Sequence, residues 1–412
     1  RSNHYSAGRS KGALVFDGAG TRLEGQGVLV EDGRIARIAP QGEFDGYAGD
    51  TVNTGGATLM PGLIDCHVHL VYSGHPDPGA VLRKQTPAEI TLTALENAQK
   101  CLAGGVTAVR DCGGKDHLEF AVRDSIKRGV FPGPTIHAAG RMICMTGGHG
   151  NANGRVADGA DEVVKAVREQ VHAGCDLVKI MATGGVMTPG VNPEDAHYSA
   201  AEMKAGVSEA RRFHKRTASH AQGTEGILNA VRAGIHSIEH GIFMTEKCIE
   251  EMNEAGVYLV ATVSALKNIV RNADKGVPAY AVEKARRVSE HHLKSIGMFH
   301  AAGGKFAMGT DAGTPFNYHG ANAQELAFLV EYGLSPAEAL TAAMANAADL
   351  MGLEDIGRIG PGKRADLLLV EGDPTKDIAM AADCRHHRAV YKGGVAFAAK
   401  PPAPVRLNVA AE

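Results

Sequence analysis

A chain of 412 residues has room for one large domain or two ordinary ones, and a single barrel of about 250 residues with an accessory module fits that length. Hydrophobic residues make up 44% and charged residues 22%, and the formal net charge is -3. That composition carries neither the basic excess that nucleic-acid binding needs nor the acidity of a disordered chain, so a folded protein with no nucleic-acid partner is expected.

No apolar stretch approaches the roughly 20 residues of a membrane-spanning helix, so no membrane partner is expected either. Seven cysteines, without Cys-x-x-Cys spacing, read as small buried hydrophobes and not as a disulfide framework. The chain opens on Arg1 and not on Met, which suggests that a leader or other residues preceded it. A soluble protein, cytoplasmic or exported, is expected.

In chain order, Lys11 to Thr58 alternates short strands with turns: Ala13 to Phe16, Gly27 to Val30, and Arg34 to Ile38 after the Asp32-Gly33 turn. Similar strands return at Ala365 to Val370 and Ala389 to Tyr391. We read the two ends, residues 1–58 and 359–412, as one discontinuous β-sandwich bracketing the rest. Between them, in residues 59–358, strand and helix patterns alternate. Strands are predicted at Leu59 to Leu70, Thr107 to Asp111, Thr135 to Ala139, Leu177 to Met181, Thr217 to Ala221, Ser237 to Gly241, Tyr258 to Val263 and Lys305 to Asp311. Helices are predicted at Pro87 to Ala103 behind a Thr86 cap, Ala160 to Ala173, Ala200 to Lys215 and Glu246 to Ala255. The economical fold is α/β, a (β/α)8 TIM barrel, whose chemistry would sit at the carboxyl ends of the strands.

Candidate ligands fall at those ends. His67 and His69 are two apart on an extended segment and point the same way. Alone, the pair fits a solvated strand face as well as a metal site. Lys179 is a cation inside the apolar Val178-Lys179-Ile180, costly to bury unless paired or modified. Ser219-His220-Ala221, Glu239-His240-Gly241 and Thr310-Asp311-Ala312 each deliver one more candidate. Any single one reads as a hydrogen-bonded core histidine or a helix cap. Together, on five strand ends, they point to a shared metal site.

This set resembles the binuclear branch of the amidohydrolase superfamily. The stretches Leu59-Met60-Pro61-Gly62-Leu63-Ile64-Asp65, Gly184-Gly185-Val186-Met187-Thr188-Pro189-Gly190 and Gly360-Pro361-Gly362-Lys363-Arg364-Ala365-Asp366 are similar to its prolidase-like, carboxypeptidase-type members, and the likeness covers nearly the whole chain. It implies two divalent metals, zinc by the oxygen and imidazole donors, with His67, His69 and Asp311 on one and His220 and His240 on the other. Lys179 would be N-carboxylated and bridge them, which removes the burial problem. A bridging hydroxide would attack, with Asp311 moving its proton to the leaving nitrogen. The implied reaction is hydrolysis of small amides or dipeptides that releases a C-terminal apolar or aromatic amino acid, by a homo-oligomer, octamers included.

His149, in Thr146-Gly147-Gly148-His149-Gly150, resembles the family's substrate-binding histidine, and His319 is a further candidate of that type. Relatives carry a tyrosine three places after the strand-six histidine to meet a substrate carboxylate. Phe243 stands there and cannot donate, so the carboxylate is met elsewhere or the pocket is more apolar. A cyclic-amide or lactone hydrolase, a deaminase, or a non-catalytic metal-binding barrel are the alternatives. The lysine argues against mononuclear deaminases, and an open donor set argues against a structural site. Arg385-His386-His387-Arg388 reads as a solvated face.

Overall fold

The computed structural model describes residues 14–397 together with the backbone strand at 3–6. The fold is α/β. Its central strands form a three-stranded and a seven-stranded parallel sheet. The first orders Thr135–Ala138, Val106–Asp111 and Leu63–Val68. The second runs Arg155–Val156, Ile143–Cys144, Leu177–Met181, Arg216–Ala221, Ser237–His240, Tyr258–Val260 and Lys305–Phe306. Hydrogen bonds outside the ladders link the two. The Cys66 amide donates to the Met308 carbonyl at 2.8 Å, the Asp311 amide to His67 at 2.7 Å, and the Asp176 amide to Ala138 at 2.9 Å.

The strands read as continuous apolar runs because both faces are covered: every residue of Leu63–Val68 and Leu177–Met181 is buried. Helices shield the outer faces. Pro87–Ala103 starts at a Thr86–Glu89 capping box, with Pro87 in its first turn, and buries Ile90, Ala94, Ala98 and Cys101 in the main core. Ala160–Ala173 and Glu246–Ala255 match their expected bounds. The helix expected over Ala200 to Lys215 ends at Arg212.

Three expected strands are shorter than their apolar runs. The run from Leu59 to Leu70 breaks at Gly62. A Cβ there would lie 2.1 Å from Thr107 Oγ1, so only glycine lets the chain pass between sheets. Ala57–Pro61 consequently pairs with Leu14–Phe16 and Leu367–Glu371 in an end sheet, and Leu63–Val68 starts the central one. Tyr258–Val260 stops early because the helix Val263–Arg271 begins there. Lys305–Phe306 gives way to an irregular segment tied to Asp65. That carboxylate accepts from the Thr310 amide at 3.1 Å, the Thr310 hydroxyl at 2.6 Å and Asn322 at 2.8 Å.

Two further sheets lie outside the central ones, the first built from the amino-terminal end alone and the second from both chain ends. One orders Arg34–Pro40, Gln26–Glu31, Asn3–Ser6 and Asp50–Asn53; the other orders Val395–Phe397, His387–Lys392, Leu367–Glu371, Ala57–Pro61, Leu14–Phe16 and Arg22–Glu24. Val28, Val30 and Ile35 of the first share an apolar cluster with Val15, Leu59, Leu367 and Leu369 of the second. Ala13, where one predicted strand begins, lies outside the described residues, as do 398–412 of the expected end module. In the basic run, Arg385 pairs with Asp383 and His386 with Glu371, while buried His387 bonds the Ala381 carbonyl. The six cysteines other than Cys384 are buried, and no disulfide joins any of them among the described residues. No described helix is long and apolar enough to cross a membrane.

Candidate metal centre and active site

The carboxyl ends of the central strands bring His67, His69, His220, His240 and Asp311 into one cluster. His67 Nε2 lies 3.3 Å from His69 Nε2, and Asp311 Oδ1 lies 3.3 Å from the first and 3.1 Å from the second. The His220 and His240 ring centroids are 4.8 Å apart, and His240 is 5.2 Å from His67. Two of these positions stand on strained backbone: His240 and Asp311 have φ of 73° and 61°, a left-handed conformation that L side chains seldom adopt. His240 is the last residue of its strand, and Asp311 lies in the irregular segment that follows Lys305–Phe306.

Each imidazole is oriented by a hydrogen bond on its outer nitrogen. His67 Nδ1 meets Glu239 Oε1 at 2.9 Å, His69 Nδ1 the Gly113 carbonyl at 2.7 Å, His220 Nε2 the Gly184 carbonyl at 2.7 Å, and His240 Nδ1 the Thr262 hydroxyl at 2.5 Å. Where the partner is a carboxylate or carbonyl, the ring must donate, which leaves the other nitrogen as a lone pair. With neutral rings, Nε2 of His67, Nε2 of His69 and the Asp311 carboxylate are three acceptors in contact, which repel one another unless a proton or a metal ion lies between them. This is the outer-shell arrangement that metal-ligating histidines use. The donor set therefore fits a divalent ion.

A second convergence, of His67, Cys112 and Glu239, lies on the far side of the His67 ring. There Glu239 is already committed, to Arg110 Nη2 at 2.5 Å and to the Ser237 hydroxyl at 2.7 Å. We read it as the support for His67 and not as an ion site. Neither Arg110 nor Glu239 stood out in the sequence. The signal available was Glu239 beside His240 and a lone arginine in the apolar Val106–Asp111.

Electrostatics follow the packing. Burial pushes His220 and His240 well below the ordinary imidazole range and takes His149 down to about 3. Burial would raise Asp311, but His67 and His69 outweigh it and hold the carboxylate well below its usual range. Burial likewise pulls His67 down, and the charges of Cys112 and Asp311 more than reverse it. Lys179 is 1% exposed, and its charge is felt by His67, His149, His220 and His240. No carboxylate among the described residues lies within salt-bridge distance of its amine, although Glu239 and Asp311 both stand in the cluster.

A small cavity of about 40 Å³ opens beside the cluster, lined by His149, His220, His240 and Asp311 together with Val186, Met187, Gln222, Ile242, Leu266 and Ile269. His149 stacks 4.3 Å from His220. Phe243 is not in this wall: its ring lies 4.7 Å from His291, and Ile242 faces the cavity instead. His319 does not line this cavity; it is buried within electrostatic reach of His69, with neither ring nitrogen bonded among the described residues. A wider cleft of about 940 Å³, lined by Phe131, Thr135, Arg364, Lys392 and Phe397 among others, lies at the amino end of the strands and contains none of the candidates.

Residues 58–396 match the family described as the Amidohydrolase family, and the chain belongs to it. The ochratoxinase of Aspergillus niger is 31% identical over 93% of this chain and 85% of its own length. Its crystal structure superposes with a TM-score of 0.86 at 29% identity, covering 96% of this chain and 95% of that one. A crystal structure of a Xaa-Pro dipeptidase with bound methionine in the active site reaches a TM-score of 0.88 at 30% identity, over 96% and 100% of the two chains. The chain is thus a hydrolase of amide bonds.

Proposed function

We propose that this enzyme releases a C-terminal apolar or aromatic amino acid from dipeptides and N-acyl amino acids, ochratoxin A, an amide of phenylalanine, among them. The carrying observation is the contact of His67 Nε2, His69 Nε2 and Asp311 Oδ1, three acceptors that need a proton or a metal ion between them. In this reading His67, His69 and Asp311 hold one zinc and His220 and His240 a second, bridged by N-carboxylated Lys179. Carboxylation would turn an unpaired buried cation into an anionic ligand whose charge the two metals would neutralise. The same reading joins the two parallel sheets into one (β/α)8 barrel and the two end sheets into a sandwich. Hydrogen bonds between their edges and the shared apolar cluster support it.

Bound metals would supply a Lewis acid and a water made nucleophilic near neutral pH. Asp311 takes the proton released on attack and delivers it to the leaving nitrogen. Glu239, Gly113, Gly184 and Thr262 hold the imidazoles in orientation, so none must reorganise during the reaction. Val186, Met187, Ile242, Leu266 and Ile269 exclude water from the cavity and suit an apolar side chain. The choice among amides draws on the ochratoxinase and the Xaa-Pro dipeptidase that the chain resembles.

The test is kcat/KM for an N-acyl-phenylalanine, its C-terminal amide and a cyclic imide. The free acid should be preferred by about tenfold or more, because a charge-assisted hydrogen bond contributes about 1.5 to 3 kcal/mol. Equal rates on acid and amide would rule out recognition of a C-terminus, and preference for the imide would favour the cyclic-amide alternative.

A further inference from the structure

Gln222 follows the strand that carries His220 and lines the cavity beside it. It is 4% exposed, yet its side-chain Oε1 is fully buried and has no hydrogen-bond partner among the described residues. Its backbone is fixed from both sides: the amide donates to Thr183 Oγ1 at 3.0 Å, and the carbonyl accepts from the Phe243 amide at 2.8 Å. A buried amide oxygen without a donor is disfavoured, and such groups are nearly always satisfied in folded proteins. Of the other residues lining the cavity, Val186, Met187, Ile242, Ala265, Leu266 and Ile269 are apolar, and none of the polar ones, His149, His220, His240, Thr262, His292, Asp311 and Thr314, donates to it.

The missing partner must be an N–H or O–H, because a carbonyl or carboxylate of the substrate would be repelled by a second acceptor. On the reading proposed above, on which this inference rests, an N-acyl amino acid brings one N–H to the site, that of the scissile amide. We infer that Gln222 Oε1 accepts a hydrogen bond from the substrate's scissile amide N–H, making Gln222 the residue that selects secondary amides over tertiary ones. An amide of phenylalanine carries that hydrogen. An amide of proline does not, so this chain is specialised away from proline-ending substrates, although a Xaa-Pro dipeptidase is among the structures it resembles. The bond also holds the amide plane in one orientation against the cluster.

The probes are N-benzoyl-phenylalanine and its N-methyl analogue, with the zinc-loaded full chain. Gln222→Met keeps length and shape but removes the acceptor; Gln222→Glu keeps an oxygen. Relative to wild type, Gln222→Met should lose about tenfold or more in kcat/KM on the N–H substrate, one lost buried hydrogen bond, and change less than about twofold on the N-methyl analogue. Gln222→Glu should retain the preference, and it carries the test alone if the methionine variant does not fold. Equal losses on both substrates in Gln222→Met, or loss of the preference in Gln222→Glu, would overturn the assignment. If wild type cleaves neither probe but does cleave a cyclic imide, the C-terminal reading itself fails, and this inference with it.

Discussion

Glu239 Oε1 accepts from His67 Nδ1 at 2.9 Å and from Arg110 Nη2 at 2.5 Å. One buried oxygen therefore orients a candidate ligand on Leu63–Val68 and neutralises the only guanidinium within the central strand Val106–Asp111. Glu239 and Arg110 are 0% and 4% exposed, so neither charge has water to fall back on. Burial would raise the carboxyl, but Arg110 and His67 hold it far below its usual range.

Glu239→Ala should therefore cost much more than one hydrogen bond. It strands Arg110 in the core, and breaking one side of a buried pair costs about 3–5 kcal/mol. Urea unfolding of the variant should show that loss together with weaker metal retention. A change under about 1 kcal/mol would mean that Arg110 finds water or another partner.

Lys179→Ala should leave fewer than two metals per chain and little activity, with partial recovery when short carboxylic acids are added. Metal analysis and turnover read both effects. Two metals with full activity would remove the bridge.

Asp311→Asn keeps shape and an oxygen donor but cannot carry the proton. Turnover should fall by about 10²-fold or more while part of the metal stays bound. Near-normal turnover would place proton transfer elsewhere.

These candidates were legible in the sequence because His67, Lys179, His220 and His240 fall within the last three residues of their strands, although Asp311 lies five residues past Lys305–Phe306. Less legible was what surrounds them. Glu239 reads as one more charged residue beside a histidine until Arg110, far away in sequence, is brought against it. Gly62 splits one apolar run into strands of two sheets because Thr107 leaves no room for a side chain, and nothing local announces that neighbour. Phe243 was expected in the substrate wall by its spacing from His240. The chain turns there with left-handed His240 and Gly241, which puts Ile242 at the cavity and Phe243 against His291.

The cavity of about 40 Å³ is far below the roughly 300 Å³ or more of a ligand pocket, so its wall has to open for a substrate to enter, and Val186 and Met187 of that wall lie outside any strand or helix. Their segment is held by Tyr280, whose hydroxyl donates to the Met187 carbonyl at 2.9 Å, and by Lys284, which donates to the carbonyls of Gly185 at 3.2 Å and Thr188 at 2.8 Å. Lys284→Met should loosen the segment, raise KM by about tenfold with a smaller effect on kcat, and speed proteolysis near Gly190, consistent with the loss of one or two charged hydrogen bonds. Unchanged KM and cleavage would show that Tyr280 holds the segment alone.

His236 supplies a pH dependence away from the candidate ligands. Its Nδ1 accepts from the Thr217 amide at 3.0 Å, and burial takes the imidazole down to about 4. Between pH 6.5 and 4 the unfolded chain binds a proton there that the native state does not, so stability falls as pH falls through that window and is fully present above it. The urea midpoint should drop less between pH 7 and 5 in His236→Asn than in wild type. An equal drop would show that this histidine does not titrate in the native chain.

The most direct measurement is a zinc titration of metal-stripped protein, following bound metal and hydrolysis of N-benzoyl-phenylalanine together. The account predicts no turnover without metal, activity that reaches its plateau at two zinc per chain, and phenylalanine as a product. Full turnover by stripped protein, or a plateau at one zinc that a second equivalent leaves unchanged, would contradict it.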